Sequence, residues 1–228
     1  MKKILLVSGC SYTTNNYTSS IHPEMNCCWT KWPELLAEKL NMQCINLGAS
    51  GSGQEYIYSS ILDKLSVLNL NDVGLVIAGW SRSCRRDYSN SDRWNNKIWD
   101  ERGDNKYFVD RMLRYQYSFQ QVCKSLKLSY KQAQIIDSYD YACWSDTKEI
   151  WPEAIDKVLS KKDHYKSIHK SPYYNLIDKN FIGFPGKELG GFCMQDFMKH
   201  PDDYISEKDW HPNAQGHKVI AEKFYENI

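Results

Sequence analysis

The chain has 228 residues, 42% of them hydrophobic and 14% aromatic, enough to bury one sizeable core without requiring a second domain. Its 29 basic and 28 acidic side chains leave a formal charge of +1, so no global field would draw it to nucleic acid or to an anionic membrane surface. No stretch approaches the ~18–20 apolar residues of a membrane span, and the run Ile4–Val7 behind Lys2 and Lys3 falls short of the roughly 7–15 apolar residues of a signal peptide.

The expected location is therefore cytoplasmic, where the eight cysteines stay reduced as single buried thiols. No C-x-x-C pair occurs and the six histidines form no ligand-spaced set with the cysteines, so no metal is expected.

In chain order, Lys3–Val7 is a continuous apolar strand, and Trp32–Leu40 places Leu35, Leu36 and Leu40 on one helical face behind Thr30 and Pro33. Gln43–Leu47 is a short strand closed by Gly48. Glu55–Leu68 then carries Ile57, Ile61, Leu65 and Leu68 at helical spacing, before Gly74–Ala78 returns to strand character. Phe108, Met112, Tyr115, Phe119, Val122 and Leu126 mark a long helix, a weaker strand lies near Gln132–Ile136, and a last helix runs from about Pro212 to Tyr225. Strands alternating with helices imply parallel pairing through right-handed crossovers. The expected fold is a single α/β domain, a three-layer α/β/α sandwich with a mainly parallel, flavodoxin-like sheet, whose crevice lies beyond the carboxyl ends of the strands. Residues near 83–106 and 161–208 break the alternation and are expected as insertions over the surface.

Two motifs carry chemistry. Gly9-Cys10-Ser11-Tyr12-Thr13 stands where the first strand ends, and a serine at a tight turn there exposes its hydroxyl at the crevice with backbone N–H groups nearby for a developing oxyanion. Serines after strands are commonly plain turn residues. Asp209-Trp210-His211-Pro212-Asn213-Ala214-Gln215-Gly216-His217 holds a histidine just before a helix whose first turn begins with Pro212. A phosphate-cradling loop would need further glycines and a lysine after the first strand, and neither is present.

Joined, the two motifs resemble those of the SGNH (GDSL-like) hydrolase family. Gly9-Cys10-Ser11 is similar to that family's Gly-Asp-Ser block, with Cys10 in place of the aspartate. Asn46-Leu47-Gly48-Ala49-Ser50-Gly51 resembles the second block, whose glycine N–H binds the oxyanion; Gly51 takes that role and Gly53 is the fallback. The third block, Gly-x-Asn, reads Gly79-Trp80-Ser81 here, so Ser81 replaces the asparagine donor. In the fourth, Asp209 stands one residue closer to His211 than the family's Asp-x-x-His spacing.

The resemblance implies Ser11 as nucleophile, His211 as its base and Asp209 as the orienting acid, with Glu207 or a backbone carbonyl as substitutes. It implies Gly51 and Ser81 at the oxyanion, and no cofactor. The expected reaction is hydrolysis of an O-acyl ester of a small molecule or carbohydrate through an acyl-enzyme; the alternative is a catalytically weakened module of the same fold that binds or supports. Arg82, directly after a strand, is the candidate for contacting an anionic or sugar-like substrate, whereas Arg85 and Arg86 are expected in a solvated loop. Trp80, Trp94, Trp99 and Trp210 serve as core or loop anchors, or as stacking surfaces. His217 is expected on the surface of the last helix, and His22, His164, His169 and His200 have no evident partner.

Overall fold

The structure, a computed structural model, describes residues 2–90, 93–97, 103–139, 161–199 and 201–228. Strand β1 (Ile4–Ser8) buries Leu5, Leu6 and Val7 completely. Successive strand side chains point to opposite faces, so burial of all three means that the sheet is covered on both sides. Leu5 and Val7 join one core cluster, with Trp32, Leu36, Ile77, Ile220 and Phe224; Leu6 joins another, with Ile57, Ile61, Val76, Trp80 and Phe119.

Around β1 the order is β2 (Gln43–Asn46), β1, β3 (Val73–Trp80), β6 (Tyr130–Gln134) and β7 (Phe181–Ile182), every pair parallel. Helix α1 (Trp32–Lys39) and the last helix, α5 (Ala214–Tyr225), cover the first cluster, where Trp32 stacks on Phe224 with ring centroids 4.5 Å apart. Helices α2 (Gln54–Val67) and α3 (Asn105–Ser125) cover the second. The three-layer α/β/α sandwich is as expected. No helix among the described residues is long and apolar enough to cross a membrane.

Both stretches read as surface insertions contribute to the interior. In the first, β4 (Arg86–Asn90) and β5 (Arg93–Lys97) form an antiparallel hairpin, and Asp87 is 1% exposed. In the second, α4 (Lys161–Lys170) sends Tyr165 and Ile168 against Val109, Met112 and Leu113 of α3, and Phe181–Ile182 supplies the fifth strand. Cys143, Trp99 and His200 lie outside the described residues. Cys28 is exposed and Cys44 partly so, against the expectation for buried thiols, while Cys10, Cys27, Cys84, Cys123 and Cys193 are buried.

Helix α2 begins at Gln54 with Gly53 as its N-cap, a residue with no side chain to satisfy the first amides. Asp87 from the hairpin does so instead, its carboxylate accepting from Gly53 N at 2.8 and 3.0 Å and from Tyr56 N at 2.9 Å. An acid at a helix N-terminus also meets the positive end of the helix dipole. Asp87→Ala should therefore cost about 0.5–2 kcal/mol in urea denaturation, the usual value of a lost cap. A change within about 0.5 kcal/mol, as at ordinary surface sites, would show that the bond contributes nothing net.

Candidate active site

After β1 the chain closes a turn in which Thr13 N and Thr14 N both donate to Cys10 O, at 2.8 and 3.1 Å. A Cβ on Gly9 would lie 2.2 Å from Thr13 Oγ1, so the turn needs glycine there. Cys10 points into the core, fully buried, and Ser11 lines a crevice of about 580 Å³. Arg82 and Arg85, which follow β3, line the same crevice. It thus sits beyond the carboxyl ends of β1 and β3, where the chain order of the sheet reverses and open parallel sheets place their ligands.

His211 comes from the far end of the chain. Ile205 N donates to His211 O at 2.9 Å, Tyr204 and Pro212 form an antiparallel bridge, and Asn213 N donates to Asp203 O at 3.1 Å. Pro212 therefore stands before the helix rather than in its first turn. The N-cap of α5 is Asn213, whose side chain accepts from Gln215 N and Gly216 N.

The structure brings Ser11, His211 and Asp209 together. His211 Nε2 lies 2.9 Å from Ser11 Oγ, and His211 Nδ1 lies 2.6 Å from Asp209 Oδ1. The short spacing between acid and histidine works because Asp209 Oδ1 also accepts from the His211 backbone N–H, at 3.1 Å, folding the carboxylate back along its own chain. Glu207 is exposed and takes no part. Asp209 is 3% exposed and its second oxygen is held by Ser19 Oγ, while Tyr17 Oη donates to both oxygens at 3.1 and 3.3 Å. Tyr17 also stacks on the His211 ring, with centroids 4.2 Å apart. Sequence reasoning missed Tyr17 and Ser19, which lie in the loop between β1 and α1 with neither periodicity nor motif to mark them.

Burial opposes ionisation of Asp209, but hydrogen bonds from Ser19 and His211 outweigh it, and the carboxyl pKa lies below its ordinary value. Burial lowers the His211 pKa, with Arg85 and Arg82 acting in the same direction against the opposite pull of Asp209. The imidazole is therefore neutral at neutral pH. Assigning the proton to Nδ1, where Asp209 Oδ1 at 2.6 Å and Tyr17 Oη at 2.7 Å both accept it, leaves the Nε2 lone pair facing Ser11 Oγ, the arrangement a general base requires. Burial and the Asp209 charge raise the Tyr17 phenol, which stays a donor.

The expected oxyanion loop divides. Gly51 has φ 76°, a left-handed conformation natural to glycine, and neither its N–H nor that of Ser11 has a partner among the described residues. Ser52 Oγ pins this loop to β1 through Gly9 O at 2.9 Å. Gly53 fails as the fallback because its N–H is committed to Asp87. Ser81 fails as an oxyanion donor because its one hydroxyl proton goes to Ser52 O at 2.7 Å and the residue is fully buried.

Arg85 corrects the expectation of a solvated loop, being 8% exposed, whereas Arg82 and Arg86 are partly exposed. Trp80 is core, Trp94 meets Tyr56 edge-on, and Trp210, 57% exposed, lines the crevice. His217 is buried instead of exposed and accepts from Trp32 N. His22 is bonded to Ser206 and His164 to Ser138 and Asn105, while the His169 ring meets Tyr174 edge-on.

No family model matches the chain, and no curated protein matches it. Two solved structures share its fold along its whole length. One is a protein from Desulfitobacterium hafniense DCB-2 assigned to the G-D-S-L lipolytic family, 11% identical over 99% of both chains with a TM-score of 0.51. The other, from Slackia heliotrinireducens and assigned as an SGNH hydrolase, is 13% identical over 100% of this chain and 99% of its own, also at 0.51. The chain has the SGNH-hydrolase fold.

In this example of the SGNH fold the histidine should titrate low. Nuclear magnetic resonance of the His211 ring should show the neutral Nδ1–H form at neutral pH, protonating only below the ordinary histidine value of 6.5. A ring that protonates above that value would mean that Asp209 outweighs burial and the two arginines.

Proposed function

We propose that the chain is a serine hydrolase that cleaves an O-acyl ester of a small alcohol or a carbohydrate through an acyl-enzyme. One observation carries the reading: the unbroken chain from Ser11 Oγ through His211 Nε2 and Nδ1 to Asp209, with steps of 2.9 and 2.6 Å, at the wall of an open crevice. Ser11 Oγ adds to the ester carbonyl carbon as His211 Nε2 takes its proton; the tetrahedral intermediate collapses, and the same proton leaves with the departing alcohol. Water then adds to the acyl carbon as His211 Nε2 takes its proton; the second tetrahedral intermediate collapses, that proton passes to the departing Ser11 Oγ, and the acid is released. Asp209 holds the ring in one tautomer and steadies the imidazolium. The Ser11 and Gly51 amides are the backbone donors for the oxyanion, and Arg82 faces the substrate.

The alternative, a binding or structural module of the same fold, draws support from Ser81, which no longer presents the donor of the third block. A fluorophosphonate separates the two, because it labels an activated serine whatever the natural substrate. Labelling at Ser11, abolished in Ser11→Ala, is expected; a wild-type chain left unlabelled is the module.

On short-chain p-nitrophenyl esters, Ser11→Ala and His211→Ala should each lose most activity, and the double variant little more, because members of one catalytic unit are non-additive. Asp209→Asn should lower kcat by up to ~10⁴, since an amide stabilises the wrong tautomer, and should also lower the melting temperature, since Ser19 and Tyr17 then lose a buried carboxylate partner. A loss below about tenfold would assign Asp209 a merely structural role.

A further inference from the structure

With Ser81 committed elsewhere, the oxyanion of the proposed reaction lacks the side-chain donor that the third block supplies in the family it resembles. The structure places another donor beside that position. Arg85 Nη1 reaches Ser52 O, the carbonyl that Ser81 Oγ also bonds, at 3.2 Å. The guanidinium thus lies next to the Ser81 hydroxyl and one residue from the Gly51 amide, and it lines the crevice together with Ser11 and His211.

Of the five N–H donors of this fork, only that Nη1 contact is made among the described residues, and Nε is buried with no partner at all. The residue is 8% exposed. Its backbone is fixed from behind: Arg111 Nη2 donates to Ser83 O at 3.1 Å and to Arg85 O, so the head does not sit on a mobile tail. The Asp87 carboxylate offsets part of the guanidinium charge, but donors withdrawn from water and left unspent remain unfavourable until an acceptor is brought to them. Addition of Ser11 Oγ to an ester does this, because the carbonyl π pair moves onto oxygen and that oxygen becomes an anion.

We propose that Arg85 is a catalytic residue, whose guanidinium donates to the oxyanion alongside the Ser11 and Gly51 amides and takes the place of the missing third-block asparagine. This rests on the serine-hydrolase reading of the crevice. No proton is transferred from Arg85: it keeps all its protons, the charge develops on the carbonyl oxygen beside it, and the charge disperses when the carbonyl re-forms and the alcohol leaves. A guanidinium in a fixed place is preorganised for this, as it does not titrate in the working range.

The test uses the full chain and p-nitrophenyl acetate, a neutral ester, with melting temperature followed for each variant. Arg85→Ala should lose ~10²–10³ in kcat, the usual cost of one oxyanion donor, with KM changed by less than about threefold, the signature of an interaction made in the transition state only. Arg85→Lys keeps a charged donor and should recover part of that loss; if the alanine variant fails to fold, a lysine variant with kcat reduced at constant KM gives the same reading. Ser81→Ala should cost far less than Arg85→Ala. Wild-type turnover of the neutral ester by folded Arg85→Ala overturns the proposal. A loss confined to KM, and to esters carrying a carboxylate, also overturns it and makes Arg85 an anion subsite instead. Failure of the underlying reading looks different, since the wild-type chain would then not react with a fluorophosphonate at Ser11.

Discussion

A carboxylate taken out of water must be surrounded by donors, and most of the site follows from how this chain surrounds Asp209. At 3% exposure it is met by the His211 ring and amide from its own segment, and by Ser19 and Tyr17 from the loop after β1. The bonds from Ser19 and Tyr17 join residues about 190 positions apart, so the site exists only when the whole sheet has formed between them. Tyr12 adds to the same seam by donating to Trp210 O. Removing Asp209 would therefore uncouple two ends of the chain as well as a tautomer, which is why activity and stability have to be measured on the same variant.

The sheet explains why those ends meet at the right place. Chain order β2-β1-β3-β6-β7 puts β1 and β3 side by side while their connections leave toward opposite faces. The segments after β1 and β3 therefore part and leave a cleft between them. Ser11 enters it from one strand, Arg82 and Arg85 from the other, and His211 closes it from the segment that precedes α5. Parallel pairing of strands buried on both faces fixes the register, since a slip by one residue would turn Leu6 toward the layer built for Leu5 and Val7.

Fold class was legible because buried parallel strands are continuous apolar runs and their helices keep one apolar stripe; Trp32–Leu40 and Glu55–Leu68 differ from α1 and α2 by single residues at their ends. Ser11 and His211 were legible as candidates because each stands in a local motif, and the structure sets them 2.9 Å apart. What was hidden depends on distant partners. Phe181–Ile182 is too short to show a period and is a strand only through Gln132 and Ala133. Arg85 and Asp87 look like solvated loop residues until α2 lies over them. Ser81 keeps the chemistry of a donor in sequence, but the direction of one hydroxyl proton is decided by where Ser52 O lies. Asp209 seemed shifted because the family spacing was compared residue by residue, whereas the bond to Nδ1 needs only that the carboxylate fold back.

The electrostatics of the crevice acquire a purpose once charge is followed through the proposed reaction. Before substrate adds, His211 is lowered by burial and by Arg85 and Arg82, which keeps its base form populated, while Asp209 pulls the other way. Taken alone, the arginines would also penalise the imidazolium that must form when Ser11 gives up its proton. That penalty is greatest with an empty site. When the tetrahedral intermediate forms, an anion appears between the imidazolium and the guanidinium, and each cation then gains a negative partner: His211 has Asp209 on one side and the oxyanion on the other, and Arg85 has the oxyanion in addition to the charge of Asp87. The same arginine that disfavours protonation of the free histidine thus ceases to oppose it at the moment of reaction. Such an arrangement stabilises the transition state more than the ground state, which is the condition for raising kcat rather than only tightening binding.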